Sequence, residues 1–270
     1  MNTVTANKGP WRLAVVMFLG LTAWWGYIQV AFPKDHIAYQ IFSGTYGLMA
    51  LYGGIFGLVT ARAWGGFKSV VGKAVGLFAL GLLFQEFGQL AYSYYAYFLH
   101  TEIPYPSLGD IGYFGSIPLY IAGGWQLAKA AGVKFSLRGF GSRILALFIP
   151  LVILLASYAE FLRDYQFAGA QWLTVSLDFG YPLGQAIYIS VAILAYLLSR
   201  KLLGGIMRKT ILLVIFALAV QYAADFTFLY LAHKQAVYPG SISDFIYLVS
   251  YFLMTISLLR FGHTYGKVGA

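Results

Sequence analysis

The sequence predicts an all-α membrane protein with eight transmembrane helices, arranged as two four-helix pseudo-repeats with both termini cytoplasmic. Three observations predict it. Of 270 residues, 60% are hydrophobic and only 10% charged, with a mean hydropathy of +0.73, whereas soluble domains carry roughly a quarter charged residues. Eight apolar runs qualify for the roughly 20 residues that a bilayer crossing requires. A polar phrase also occurs twice, as PYPSLGDIGY at 104–113 and as VYPGSISDFIY at 237–247.

Taken in order, the spans are 11–32, 38–61, 71–98, 111–131, 143–163, 171–198, 209–232 and 243–261. The first follows a basic flank, MNTVTANKGPWR, but is full span length and lacks a small-residue cleavage pattern, so it is read as a retained helix. The second contains Gly53, Gly54 and Gly57, and the fourth Gly123 and Gly124, small residues that let helices approach closely. The third and seventh end in the aromatic tracts YSYYAYFLH at 92–100 and FTFLYLAH at 226–233. Such rings favour the membrane interface, which makes an aromatic belt the first expectation and a ligand cage the second.

Loop charge sets the orientation. Of the 18 Lys and Arg, fifteen fall on one side of the eight spans and only Lys34, Arg163 and Lys234 on the other. Positive loops stay cytoplasmic, so an even number of spans puts both termini inside and both copies of the phrase outside. A seven-span arrangement does not satisfy every loop. The net charge of +9 thus belongs to membrane topology and predicts no nucleic-acid partner, which would need basic residues gathered on one face.

Several function classes are excluded or disfavoured. There is no cysteine, which removes disulfides, thiol nucleophiles and thiolate metal sites. His36, His100, His233 and His263 are scattered with no HExxH or HxxxH spacing, so no metal site is expected. GxSxG, P-loop and GxGxxG signatures are missing, and neither of the last two spans has a lysine to hold retinal as a Schiff base. The chain reads as non-enzymatic and cofactor-free.

The duplication extends beyond the phrase. Polar residues four apart precede each copy: Gln85 and Gln89 in the third span, Gln221 and Asp225 in the seventh. Residues at that spacing share a helical face. Asp110 and Tyr113 open the fourth span as Asp244 and Tyr247 open the eighth. The expected halves are residues 1–132 and 133–270, in parallel orientation about an axis normal to the membrane. In each phrase a proline, Pro106 or Pro239, stops the incoming chain. Ser107, and Ser241 or Ser243, then serve as cap residues, with Asp110 and Asp244 complementing the helix dipole.

Three further acids lie within spans: Glu86, Asp178 and Asp225. A charge near the bilayer centre costs about 3 kcal/mol on insertion scales, so such groups face the bundle interior and mark function. No Lys or Arg lies at matching depth. These acids must be protonated, hydrogen-bonded to Gln and Tyr, or neutralised by a cationic ligand. Asp178, Tyr181, Gln185 and Tyr188 form one stripe on the sixth helix, able to face Gln221 and Asp225 on the seventh. The stripe is either polar glue between helices or the wall of a pocket, and Pro182 is placed to kink that helix and open carbonyls to a cavity.

The segment YPSLGDIGYFGSIPLYIAGGWQL at 105–127 resembles the PSxADxxYLxxYPLLxxGL pattern of multi-span domains at the N-terminus of bacterial GGDEF/EAL signalling proteins and some sensor kinases. DFGYPLGQ at 178–185 is similar to the YPLGD motif of that family, and residues 238–258 to its G-x3-D-x2-W motif. Gly109 replaces the usual alanine, Gln185 the usual acid and Tyr247 the usual tryptophan. The resemblance implies a membrane sensing domain without catalytic residues. Because the chain ends soon after the last span, the resemblance implies either a standalone relative, which would signal through a separate cytoplasmic partner, or the input domain of a longer protein.

The expected function is a sensor or ligand-binding module with an outward-facing polar pocket between the halves. Its ligand would be a small molecule or a cation, and its spans would be surrounded by lipid in the cytoplasmic (inner) membrane. The ligand-binding candidates are Glu86, Gln89, Asp178, Tyr181, Gln185, Gln221 and Asp225, with Pro106, Ser107, Asp110, Pro239 and Asp244 forming the outer turns. Two alternatives are a proton- or cation-coupled transporter using the intramembrane acids, and an intramembrane lipid hydrolase using Asp110, Asp178 or Asp244 as acid and base. The hydrolase has no histidine partner to assist it.

Overall fold

Away from water a chain this apolar must satisfy its own backbone, and the helix does so within one segment. The computed structural model describes residues 9–101, 103–130, 140–163, 165, 167, 169, 171–199 and 208–268, and among these every regular element is helical. The helices are α1 (Gly9–Ala31), α2 (Ile37–Thr45), α3 (Leu48–Ala63), α4 (Val70–Ser93), α5 (Leu108–Ala130), α6 (Phe140–Ser157), α7 (Trp172–Ser199), α8 (Arg208–His233) and α9 (Ile242–Val268). The boundary between residues 132 and 133, and the loop residues Lys8, Lys134, Arg138, Arg200 and Lys201, lie outside the described residues.

Six segments are long and apolar enough to cross a membrane: Gly9–Ala31, Ile37–Ala63, Val70–Leu99, Trp172–Leu194, Lys209–His233 and Ile242–Thr264. This is a membrane protein. Of the eight runs expected, the fourth and fifth do not meet that measure among the described residues. Glycine, Asp110 and Gln126 dilute the hydropathy of α5, and of the fifth run the described residues give the apolar helix Phe148–Leu162. Val16, Leu19, Val30, Phe87 and Leu90 point outward from the bundle, where lipid is their solvent.

The second span is not one helix. In an unbroken helix the Ser43 carbonyl would accept from the Gly47 N–H, but it is taken instead by the Gln89 side-chain amide reaching across from α4. The ladder slips at Tyr46 and Gly47, and α3 begins at Leu48. α5 starts three residues earlier than hydropathy suggests because Ser107 caps it. α4 and α6 each end in a π-type turn, Tyr94–Leu99 and Tyr158–Leu162. α7 runs unbroken through Pro182.

α4 packs along α3 on one side and α5 on the other, while α8 packs along α9. Contacts of α3 and α4 with α9 join these groups, α5 packs against α7, and α7 also lies against α6 and α8. Glycines set the closest approaches. A Cβ on Gly112 of α5 would collide with the backbone of Gly88 and Phe84 in α4. Gly53 and Gly57 let α3 sit against Thr255 and Leu258 of α9 and against Leu82 and Ala79 of α4, the close packing expected of them. The core thus runs along the inner faces of α3, α4 and α9, with Phe78, Leu82, Tyr251 and Leu258 fully buried.

Candidate functional site

Each polar phrase folds as a turn that caps a helix. At the first, Ser107 Oγ accepts from the Gly109 N–H at 3.1 Å. Asp110 Oδ2 reaches back to the Ser107 N–H at 2.7 Å and to its hydroxyl at 3.2 Å. This is a reciprocal capping arrangement. It leaves Asp110 Oδ1 free to accept from the Tyr181 hydroxyl of α7 at 2.7 Å. At the second, Asp244 Oδ2 accepts from the Gly240 N–H at 2.8 Å, and the Ser241 and Ser243 hydroxyls bond each other at 2.8 Å. Gly240 has φ +70°, and its carbonyl accepts from Trp25 Nε1 at 3.0 Å and Gln29 Nε2 at 2.9 Å, which ties this turn to α1.

One turn further into the bundle the two sets of polar residues make matching bonds. In the first, the Tyr113 hydroxyl donates to Gln89 Oε1 at 2.8 Å and Gln85 Nε2 to Ser116 Oγ at 2.8 Å, joining α4 to α5. In the second, the Tyr247 hydroxyl donates to Asp225 Oδ1 at 2.9 Å and Ser250 Oγ to Gln221 Oε1 at 2.7 Å, joining α8 to α9. A tyrosine from a third segment completes each: Tyr46 donates to Gln89 at 3.1 Å, and Tyr188 to Asp225 at 2.5 Å. Tyr251 of α9 donates to Gln85 Oε1 at 3.0 Å, linking the sets.

Between them lies a cavity of about 890 Å³. Its mouth is the bundle end that carries both turns, bounded by Tyr97, His100, Tyr105 and Val237, and it extends inward to Gln85, Tyr120, Tyr188 and Asp225. The described lining includes four aspartates, Asp110, Asp178, Asp225 and Asp244, and ten tyrosines, with no lysine or arginine. Asp178 stands near the mouth, where Tyr105 donates to Oδ1 at 2.6 Å and Tyr165 to Oδ2 at 2.8 Å. Burial, then the bond to Asp178, raises the Tyr105 phenol above its ordinary value. For Tyr165 the bond to Asp178 is the leading cause of the same direction. Both phenols therefore remain donors at neutral pH.

The structure brings Gln89, Asp178, Tyr181, Gln185 and Asp225 together on the cavity wall, with Asp110, Pro239 and Asp244 from the turns. Tyr181 and Tyr188 of the α7 stripe reach Asp110 and Asp225. Pro106, Ser107, Gln221 and Glu86 do not line it. Gln221 is held by Ser250 and itself donates to Asp225 at 3.1 Å. Glu86 points the other way, against Gly47 at the α2–α3 break, where its Oε2 is buried without a hydrogen-bond partner.

Asp110 and Asp244 have a double position, each capping a helix while lining the cavity. The aromatic tract at 92–100 also divides, with Tyr92, Tyr97 and His100 lining the cavity while Tyr94 and Phe98 point outward. Sequence reasoning missed Tyr46, Tyr105 and Tyr165. A signal existed for Tyr46, which follows Tyr39 by seven residues as Tyr188 follows Tyr181. Tyr105 and Tyr165 sit in connections, with no periodicity to mark them. No protein-family model, no curated protein and no solved structure matches the chain.

Proposed function

We propose that the chain is a multi-span membrane sensor that binds a small molecule in this cavity and passes its occupancy to a cytoplasmic partner through α9. The single observation that carries the reading is the cavity itself, about 890 Å³ between helices of both groups, with polar side chains placed at intervals along a tyrosine wall. Ligand sites have this size and make-up.

In this reading the chain crosses the cytoplasmic membrane eight times as two four-helix halves with both termini inside. The matched bonds Tyr113–Gln89 and Tyr247–Asp225 support the halves. So does the correspondence of the α3–α9 contact with the α7–α5 contact, each joining the second span of one half to the fourth of the other. Arg62, Lys68, Lys73, Lys129, Lys209 and Arg260 all stand at helix ends remote from the cavity, so the positive-inside rule turns the mouth outward. This placement also agrees with the resemblance to the sensing domains of bacterial signalling proteins. α9 begins at the cavity with Asp244 and Tyr247 and continues to the opposite end. A ligand signals only if it binds two packings of that helix with different affinity.

The test is thermal unfolding of the protein in lipid nanodiscs across a panel of amines, lipids and inorganic cations, with Asp225→Asn alongside. The reading expects at least one compound to raise the melting temperature of the wild type and not of the variant. A panel that moves neither protein contradicts it.

Coupled transport is a second reading, and Glu86 favours it. An orphaned buried carboxyl oxygen beside an interrupted helix is the kind of group that exchanges a proton. Liposomes under a pH gradient test this. Transport expects proton or cation flux in the wild type that Glu86→Gln abolishes, and equal leakage from both removes it.

A further inference from the structure

The four lining aspartates do not converge. Among the described residues no three Asp, Glu or His side chains meet in a way that could hold a metal ion. Three of the four carboxyls are instead strung along α7, and the fourth, Asp244, stays in its turn on the Gly240 N–H. Asp178 belongs to that helix, Asp110 is bonded to Tyr181 and Asp225 to Tyr188. At a rise of 1.5 Å per residue, Tyr181 lies about 5 Å and Tyr188 about 15 Å deeper than Asp178. Pro182 has no N–H to give the Asp178 carbonyl, which adds a further acceptor near the mouth. Carboxyl groups are therefore spread along the cavity, with no lysine or arginine of the described lining beside them.

Between the acids the walls are aromatic. Tyr92 and Tyr113 meet edge to face at 5.2 Å, and Tyr120 and Tyr188 at 6.1 Å. Ring faces of this kind accept methylene chains and ammonium groups alike. At the rim one such pairing is already made, since the Lys34 ammonium stands 4.6 Å from the ring centre of Tyr238, which lines the cavity.

We infer that the cavity takes an elongated organic dication, a linear diamine or polyamine, with one ammonium at Asp178 and Asp110 near the mouth and another at Asp225, and the methylene chain along the tyrosines. A compact inorganic cation would meet one carboxyl at a time and leave the others without a cationic partner. A neutral ligand would leave all of them so. The inference rests on the binding-cavity reading above.

The test is calorimetric titration of the full chain in nanodiscs, with empty nanodiscs subtracted. The probes are α,ω-diaminoalkanes of four to twelve carbons, the monoamines of equal length and the diols of equal length. We expect the longest diamines to bind at least tenfold more tightly than the matching monoamine and the four-carbon diamine. Asp178→Asn, near the mouth, should remove that length dependence while the protein stays folded and monodisperse. Tyr188→Phe should weaken diamine and monoamine together. Equal affinity for diamines and monoamines, or tighter binding of diols, overturns the dication and leaves a binding cavity in place. No heat from any probe, combined with no stabilising compound in the wider panel, overturns both.

Discussion

Tyr188 of α7 donates its hydroxyl hydrogen to Asp225 of α8 at 2.5 Å, at the inner end of the cavity. The same carboxyl accepts from Tyr247 of α9 and from Gln221 one turn before it, so one acid ties three helices together. In an apolar surrounding such an acid is costly without its donors.

Removing those donors should therefore loosen the α7–α8–α9 group. Tyr188→Phe and Tyr247→Phe are each expected to lower stability by about 1 to 2 kcal/mol. The double variant should depart from the sum, because both act on one carboxyl. Unfolding in mild detergent, followed by tryptophan fluorescence, measures all three. Strictly additive small changes would mean that the two phenols do not share Asp225.

The contact between α4 and α5 makes a sharper steric prediction. Gly112→Ala places a methyl against backbone atoms of Gly88 and Phe84, which cannot rotate away, at an expected cost of about 1 to 3 kcal/mol. Gly20→Ala on the outer face of α1 meets no atom within 4 Å and should stabilise by up to about 1 kcal/mol through helix propensity. The two melting temperatures should move in opposite directions. Parallel shifts would contradict the close approach of α4 and α5.

The mouth carries a pH dependence whose sign follows from Tyr105 and Tyr165. Both phenols sit above the ordinary tyrosine value of 10.0, Tyr105 through burial and then its bond to Asp178, Tyr165 first through its bond to Asp178. A raised folded-state value gives stability that is complete below the unfolded value and is lost as pH rises through the folded one. Melting temperature should therefore hold from neutral pH to about 10 and then fall. Replacing both residues by Phe should make that alkaline fall shallower. Identical profiles for wild type and double variant would show that neither bond to Asp178 contributes.

How much could be foreseen depends on where each constraint lies. The helices were legible because a lipid-facing segment must be apolar along its whole length, as in α1 and α8. The α2–α3 break was not, since the side chain that diverts the Ser43 carbonyl belongs to Gln89, more than forty residues away. Gln89 and Asp225 stood out by their four-residue spacing from Gln85 and Gln221, and their tyrosine partners lie in the repeated phrase. Glu86 illustrates the limit. It adjoins Gln85, yet one helical step turns it about 100°, and a helix buried on several sides does not announce which face meets a cavity and which meets a neighbour. Asp110 was read as a cap, which it is. Only the fold reveals that its second oxygen accepts from Tyr181 of the neighbouring α7 on the cavity wall.

The central claim is that the space beneath the two turns is open to the extracytoplasmic side. The chain has no cysteine, so a single Ala96→Cys substitution on the cavity wall can be probed in intact cells with a membrane-impermeant thiol reagent, beside Ala128→Cys, buried at the far end of α5. The account predicts that the reagent applied outside labels position 96 and leaves position 128 untouched, and that a positively charged reagent reacts faster there than a negatively charged one. Labelling of position 96 only after the inner face is exposed, or none from either side, would contradict it.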